Sequence, residues 1–304
     1  IVASYAENIR GNMDILRERH IDFIQPFLPI HDRKRLIERL YEELGEREKL
    51  SKQEIAAAVE AAYAEIERYR QDVRDYGQKI LARIEKTGEQ AIMLVGRPYH
   101  IDPEINHGIP EMIQSYKLPI LSEDAVYHIP VKAERLKVVN QWSYHARLYH
   151  AAQFTAEHQN LTLIQFSSFG CGLDALTTGQ VKEILEDHHR IYTMIKLDEV
   201  SNLGAARIRL RSLMAALARR KPVAYKEVRP IERPHFTEDC KATHTILAPQ
   251  MAPIHFELFQ TVLQKHGYRA MIPPMPGKEA IDTGLRYVNN DMCYPAIVVI
   301  GQLI

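Results

Sequence analysis

Two cysteines, Cys171 and Cys293, each stand at a turn that leads directly into a predicted helix. Cys171 follows the apolar, strand-like run 161–166, and the flanking Gly170 and Gly172 let the backbone turn tightly and leave the sulfur uncovered. The N-terminus of a helix carries a partial positive charge, which favours the thiolate form of a nearby cysteine. Such a thiolate can bind a metal or act as a nucleophile. A small buried turn cysteine without chemistry is the competing interpretation.

Further polar side chains follow the neighbouring predicted strands 91–95 and 119–121. Arginine directly after a strand is a plausible anion site, because it can bind carboxylate or phosphate through two parallel hydrogen bonds. Polar clusters after successive strands predict that several loops converge on one crevice. The candidate residues for contacting a substrate, or for supporting a metal site, are Arg97, Tyr99, His100, Asn106, His107, Glu123, Asp124, Ser167 and Ser168. No catalytic residue is assigned among them.

Several common catalytic and metal-binding signatures are absent from the sequence. It contains no Cys-x-x-Cys, no His-Glu-x-x-His and no P-loop, and Phe169 and Leu173 occupy the positions where a nucleophile elbow needs glycine. His145 and His150 are five residues apart on a predicted helix, so they do not share a face and are not assigned as ligands. Cys240 has no partner motif nearby and is interpreted as incidental.

Composition narrows the class of protein. The 39 basic and 39 acidic residues give a formal net charge of +0, which argues against a nucleic-acid-binding protein held by a basic field. Three cysteines do not form a disulfide framework, and a reducing, cytoplasmic setting fits better. No leader and no membrane-spanning run is expected. Both termini are expected to be cuts in a longer polypeptide, and a homo-oligomer is left open.

The alternation of strands and helices predicts an α/β fold of Rossmann-like parallel sheets with flanking helices, preceded by a helical N-terminal segment. Ser51 and Glu54 form a capping box ahead of a long helix in that segment. The predicted organisation is a helical lead-in over 1–88, a Rossmann-like domain over 89–220, a proline-containing linker over 221–242, and the start of a second, truncated α/β domain over 243–304.

Six sequence runs carry a family resemblance. They are GRPYHIDPEINHGIPE (96–111), LSEDAV (121–126), SSFGCGLDALTT (167–178), NLGAARIR (202–209), THTILAPQMAPIHF (243–256) and NNDMCYPA (289–296). With them the chain resembles, over essentially its whole length, the very long bacterial proteins in which components similar to 2-hydroxyacyl-CoA dehydratases are fused to their ATP-driven activators. The resemblance is to the central, dehydratase-like portion and omits the activator.

The resemblance implies a 4Fe-4S cluster held by cysteines of Rossmann-like domains, with one open iron. Cys171 and Cys293 match motif cysteines of the family, Cys240 matches none, and a cysteine that the family tends to carry upstream of Ile1 is missing from this chain. In the relatives, an electron delivered after ATP hydrolysis reduces the cluster and passes to an acyl-CoA carbonyl. The resulting ketyl radical then expels the hydroxyl group.

The first functional hypothesis is therefore an iron–sulfur module that receives an electron from an ATP-dependent activator domain, on the same or another polypeptide. It would reduce or dehydrate a small, acyl-CoA-like substrate, as a lyase-like or reductase-like component. The second hypothesis is a non-catalytic scaffold or interaction segment of a larger fused protein. The third is an α/β domain that binds CoA or a nucleotide without a cluster.

Overall fold

The computed structural model describes residues 4–132, 136–168, 172–197, 203–220, 235–288 and 292–304. The chain divides into two compact units, residues 1–73 and 74–304. Within these described ranges the first unit is helical, and the strands lie in the second unit.

The first unit is built from amphipathic helices. Leu36, Ile55 and Val59 form its buried cluster. The predicted capping box is present, because the Ser51 N–H donates to Glu54 Oε2 at 2.8 Å and the Glu54 N–H donates to Ser51 Oγ at 3.2 Å. The helices are α1 (Tyr5–Asn12), α2 (Asp14–Glu18), α3 (Arg33–Leu44) and α4 (Lys52–Thr87), the last of which continues into the second unit.

The main sheet of the second unit has four parallel strands in the order β2-β1-β3-β4. They are β1 (Ala91–Val95), β2 (Ile120–Ser122), β3 (Leu161–Ser167) and β4 (Tyr192–Lys196). The two central strands are the apolar runs that the sequence predicts to be buried, and their side chains are almost entirely inaccessible to solvent. β2 lies on one side of β1 in the sheet, and β3 lies on the other side of β1. The strand order therefore reverses between β1 and β3.

Helices flank this sheet. They are α5 (Pro103–Asn106), α6 (Ile109–Gln114), α7 (Glu123–Val126), α8 (Ser143–Glu157), α9 (Gly172–Asp187) and α10 (Gly204–Arg219), and a 3₁₀ turn spans Pro98–Ile101. Side chains of α6 and α10 pack on one face of the sheet and form the main core with Ile92, Ile164 and Ile195. Helices α8 and α9 pack on each other and on β1, β3 and β4.

A second, two-stranded parallel sheet follows closer to the C-terminus. It consists of β5 (Thr245–Leu247) and β6 (Arg269–Met271), in the register Thr245 to Arg269. Its helices are α11 (Cys240–Thr243), α12 (Pro253–Lys265), α13 (Lys278–Tyr287) and α14 (Tyr294–Leu303). The predicted linker lies largely outside the described residues, which resume at residue 235.

The α/β class with a helical N-terminal segment is confirmed. The predicted four-segment organisation stays a prediction. None of the helices in the described ranges has the length and apolar character that crossing a membrane would require.

Candidate functional site

The carboxyl ends of β1 and β3 lie side by side where the strand order reverses, which is the position where open α/β sheets bind their ligands. Val95 pairs with Gln165, so the residues that follow both strands emerge at the same sheet edge. Arg97 and His100 follow β1, and Ser168 follows β3 directly. The loops that follow β1 and β3 therefore lie next to each other at this edge of the sheet.

A hydrogen bond joins the two strand ends. His100 Nε2 lies 2.6 Å from Ser168 Oγ, and both side chains are buried. The His100 ring folds back over Gly96, where an added Cβ would lie 2.4 Å from His100 Nδ1. The edge of the ring also faces Phe166, with centroids 5.8 Å apart. Glycine at position 96 is thus required by the imidazole that closes the turn.

The hydrogen bonds of His100 fix its tautomer. The Arg97 backbone N–H donates to His100 Nδ1 at 2.9 Å, so the neutral ring carries its proton on Nε2 and donates it to Ser168 Oγ. Burial lowers the pKa of His100 to about 4; the nearby Arg97 charge acts in the same direction and Asp174 opposes it. His100 is therefore neutral at pH 7 and does not act as a base toward Ser168, whose own hydroxyl hydrogen is left for another acceptor.

Asp174, in the first turn of α9, connects β1 to α8. Arg97 Nε donates to Asp174 Oδ1 at 2.8 Å, and His145 Nε2 of α8 lies 3.6 Å from the same oxygen. Neither ring nitrogen of the buried His145 has a hydrogen-bond partner within the described residues. Burial lowers the pKa of His145, helped by the Arg97 charge and opposed by Asp174. The arrangement is a charged pair with a neutral imidazole beside it.

Among the described residues, the terminal Nη groups of Arg97 have no hydrogen-bond partner. Within the described part of the chain, the hydrogen bond of the guanidinium is the one from Nε to Asp174. The Arg97 side chain is 24% exposed, so its outer edge reaches solvent. An arginine held at one nitrogen and open at the others can bind a carboxylate or phosphate.

Asn106 shapes the loop that follows His100. Its buried Nδ2 lies 3.2 Å from the His100 carbonyl oxygen and 3.3 Å from the Ile101 carbonyl oxygen, and its Oδ1 accepts from the Gly108 N–H at 3.0 Å. His107 caps α5 in the left-handed conformation, with φ of 53°. These two predicted site residues therefore support the loop.

Glu123 and Asp124 follow β2, at the same edge of the sheet but with a different partner. Arg147 of α8 forms an ion pair with Asp124 and lies over the Tyr127 ring, 5.4 Å from its centroid. Burial raises the pKa of Glu123, while hydrogen bonding to its own backbone and the Arg147 charge oppose the rise. Glu123 and Asp124 thus interact with Arg147 of α8. Arg97 interacts instead with Asp174, and His100 interacts with Ser168.

The remaining predicted site residues differ in their burial, and one of them lies outside the described residues. Tyr99 is 40% exposed and its ring edge faces His100 at 4.6 Å between centroids, and Ser167 is half-buried at the end of β3. Cys171 lies outside the described residues. Cys293 is the half-buried N-cap residue of α14, a free thiol directly before a helix as the sequence predicts.

The Cys240 sulfur has hydrogen-bond partners that the sequence does not indicate. Thr237 brings its backbone N and its Oγ1 to 3.5 Å from the Cys240 sulfur, and these hydrogen bonds lower the pKa of the thiol. No group of three or more His, Cys, Asp and Glu side chains in the described ranges is placed to hold a metal ion.

Sequence reasoning missed Asp174 and His145. A usable signal for Asp174 was an acidic residue in the first turn of the helix after β3, opposite an arginine after the neighbouring strand. His145 gave a weaker signal, because a single histidine on an otherwise apolar helix face is usually only a core residue.

Comparison with known proteins finds a family match for the first part of the chain. Residues 1–126 match the CoA enzyme activase uncharacterised domain (DUF2229). No curated protein and no solved structure matches the chain. The match is consistent with an activase-related family and does not point specifically to the dehydratase component. It includes Arg97, His100 and Asn106, and it ends before Ser168 and the cysteines.

Proposed function

We propose that this chain is a component of a CoA-dependent enzyme system, and that the crevice between the carboxyl ends of β1 and β3 binds its acyl-CoA-type substrate. The observation that carries the proposal is the His100–Ser168 hydrogen bond, which ties the two strand ends together at the point where the strand order reverses. The match of residues 1–126 to a CoA enzyme activase domain supports the substrate class.

Arg97 is the residue assigned to bind the anionic or carbonyl oxygens of the substrate in this proposal. Asp174 holds Nε and so fixes the plane of the guanidinium before a ligand arrives. His100 keeps the loop closed and stays neutral at pH 7. It therefore does not compete with Arg97 as a second positive charge for the anionic substrate. The Ser168 hydroxyl can donate a second hydrogen bond from the opposite strand end.

Replacing Arg97 by lysine tests this assignment. Lysine keeps a positive charge beside Asp174 and loses the planar fork of the guanidinium, so we expect the affinity for acetyl-CoA to fall about tenfold. Isothermal titration calorimetry of the 304-residue protein measures the effect. Arg83→Lys is the matched control, because Arg83 also pairs through Nε with a carboxylate, that of Glu89, and is exposed away from the crevice.

Two results would overturn the proposal. If wild-type protein does not bind acetyl-CoA, the crevice is not a CoA-ester site, and the scaffold hypothesis gains support. If Arg97→Lys binds as tightly as Arg83→Lys, the arginine does not contact the ligand.

An iron–sulfur module remains the second proposed function, with Cys171 and Cys293 as ligands of a 4Fe-4S cluster and an ATP-dependent activator as electron donor. Its supporting observation is that α9 begins at Gly172, immediately after Cys171, and that Cys293 is the N-cap of α14. A bound cluster would supply one-electron reduction of an acyl-CoA. The described residues do not by themselves form its four-ligand site, so no step is assigned to them.

Anaerobic reconstitution with ferrous iron and sulfide tests the cluster directly. We expect wild-type protein to retain iron and sulfide and to turn brown, as proteins with thiolate-bound iron–sulfur clusters are. Cys171→Ser and Cys293→Ser should each lose most of this iron. Cys240→Ser is the matched control and should retain it. Equal iron in all three variants, or none in the wild type, contradicts the assignment.

A further inference from the structure

His145 is a buried ionisable side chain beside the crevice, and the proposed function assigns it no role. It lies on α8, and its side chain is only 7% exposed. Neither ring nitrogen has a hydrogen-bond partner within the described residues. A buried polar group without a partner costs free energy, and the charges next to this ring offer a reason for keeping it.

Two opposite charges lie beside the imidazole. His145 Nε2 is 3.6 Å from Asp174 Oδ1, which is too long for a hydrogen bond and within reach of an ion pair. The same oxygen accepts a hydrogen bond from Arg97 Nε at 2.8 Å. While His145 is neutral, the carboxylate and the guanidinium cancel. A proton on His145 would leave one uncompensated positive charge in a largely buried place, which is unfavourable.

An anionic ligand reverses this balance. A carboxylate or phosphate bound to the outer nitrogens of Arg97 adds a negative charge, and a proton on His145 then restores neutrality. Burial lowers the pKa of His145 most, the Arg97 charge lowers it further, and Asp174 raises it. The bound anion offsets the Arg97 charge and leaves Asp174 in place, so the pKa of His145 rises. Binding of the anion and protonation of the ring therefore favour each other.

We propose that His145 takes up a proton from solvent when an anionic ligand binds to Arg97, and that the imidazolium then pairs through Nε2 with Asp174. The proposal rests on the proposed function, which places the ligand at Arg97. The Arg97 and Asp174 side chains are 24% and 13% exposed, so solvent reaches the edge of this group. His145 is a positioning residue in this scheme, because it holds the carboxylate while the ligand engages the arginine.

The other ionisable groups of α8 and of the strand ends are engaged elsewhere. Arg147 interacts with the two carboxyl groups at the end of β2. The Tyr149 hydroxyl lies 3.5 Å from a threonine hydroxyl of α9, and burial raises the pKa of this tyrosine. His100 donates to Ser168 and is neutral at pH 7. Within the described part of the chain, the guanidinium and the carboxylate beside the ring are therefore the charges that act on it.

Calorimetric titration of the 304-residue protein with acetyl-CoA, in buffers of different ionisation enthalpy between about pH 5 and about pH 8, counts the protons taken up on binding. The comparison is with His145→Gln, whose amide can still reach Asp174 but cannot titrate. Wild type should take up more protons than this variant, by up to about one per ligand. The phosphates of acetyl-CoA titrate near pH 6 as well, but they contribute equally to both proteins.

The affinity should follow the same linkage. The pKa of His145 is higher in the complex than in the free protein, so lowering the pH between these two values favours the complex. The affinity of wild type for acetyl-CoA should therefore rise, relative to His145→Gln, by up to about tenfold per pH unit in that window.

His150→Gln is the matched control. His150 lies on the same helix, and its Nε2 is hydrogen-bonded to the Ile129 carbonyl oxygen, so this variant should keep the wild-type proton count. Asp174→Asn is a second test that serves if His145→Gln does not fold. It should also lose the proton uptake, because the imidazolium then has no carboxylate to pair with.

Two results would overturn the inference, and they differ in what they leave standing. Wild-type protein that binds acetyl-CoA with the same proton count as His145→Gln or Asp174→Asn overturns the role of His145 and leaves the proposed function intact. Wild-type protein that does not bind acetyl-CoA overturns the proposed function and the role of His145 with it.

Discussion

Lowering the pH from 7 to about 4 is expected to reduce the free energy of unfolding by up to about 3 kcal/mol through His100 alone. The pKa of His100 falls from 6.5 to about 4 in the folded chain, because the ring is buried. Between these two pH values the unfolded chain binds a proton at this position and the folded chain does not. Stability is therefore complete above pH 6.5, decreases through the window, and levels off below about pH 4.

Urea unfolding followed by the fluorescence of Trp142 measures this effect. Trp142 is the single tryptophan and is the N-cap residue of α8, so its emission reports on the second unit. The comparison is with His100→Asn, whose amide oxygen can still accept from the Arg97 N–H but cannot titrate. This variant should be less stable than wild type at pH 7, and it should lose less stability on acidification.

The difference between the two proteins isolates His100 from other groups. Burial also lowers the pKa of His145, and it raises the pKa of Glu123, which makes the folded state gain stability as the pH falls. Both contributions remain in His100→Asn and cancel in the comparison. Parallel pH profiles for the two proteins would show that the imidazole is not held neutral by the fold.

The central strands were predictable from the sequence because they are short apolar runs bounded by polar turns. The runs at β1 and β3 have this form, and the structure forms strands at both. Apolar residues at helical spacing continue through residues 4–19, yet the chain is extended at Met13 and forms two short helices, α1 and α2. Both helices have helical periodicity, but neither contains a buried residue. Packing against the rest of the fold therefore does not stabilise them as one continuous helix.

The candidate site was predictable only in part, because periodicity identifies strands and does not reveal which strands are neighbours. Arg97 and Ser168 were recognisable as strand-end residues. Their proximity follows from the order β2-β1-β3-β4, which depends on long-range packing. Asp174 and His145 lie on helices that pack on that sheet, so inspection of the strand ends alone could not identify them. The pairing of Asp124 with Arg147 is likewise a tertiary contact.

Gly301→Ala is expected to destabilise the α13–α14 pair by up to about 3 kcal/mol, because the added methyl group would collide with backbone. A Cβ at Gly301 would lie 1.6 Å from the Ala280 carbonyl oxygen, and a Cβ at Gly284 would lie 2.1 Å from the Ile297 carbonyl oxygen. Backbone cannot rotate away as a flexible side chain can, so the helices must separate. Amide hydrogen exchange of the α13 and α14 peptides measures the loss of protection.

The matched control is Gly179→Ala in α9, where an added Cβ meets nothing within 4 Å. It should leave exchange unchanged or slow it, because alanine is favoured over glycine in helices by about 0.5–1 kcal/mol. The consequence for function concerns Cys293, the N-cap of α14, which moves with that helix. If Cys293 binds a cluster, Gly301→Ala should also lower the iron retained after reconstitution, and Gly179→Ala should not. Unchanged protection in Gly301→Ala would mean that the two helices are not packed this closely.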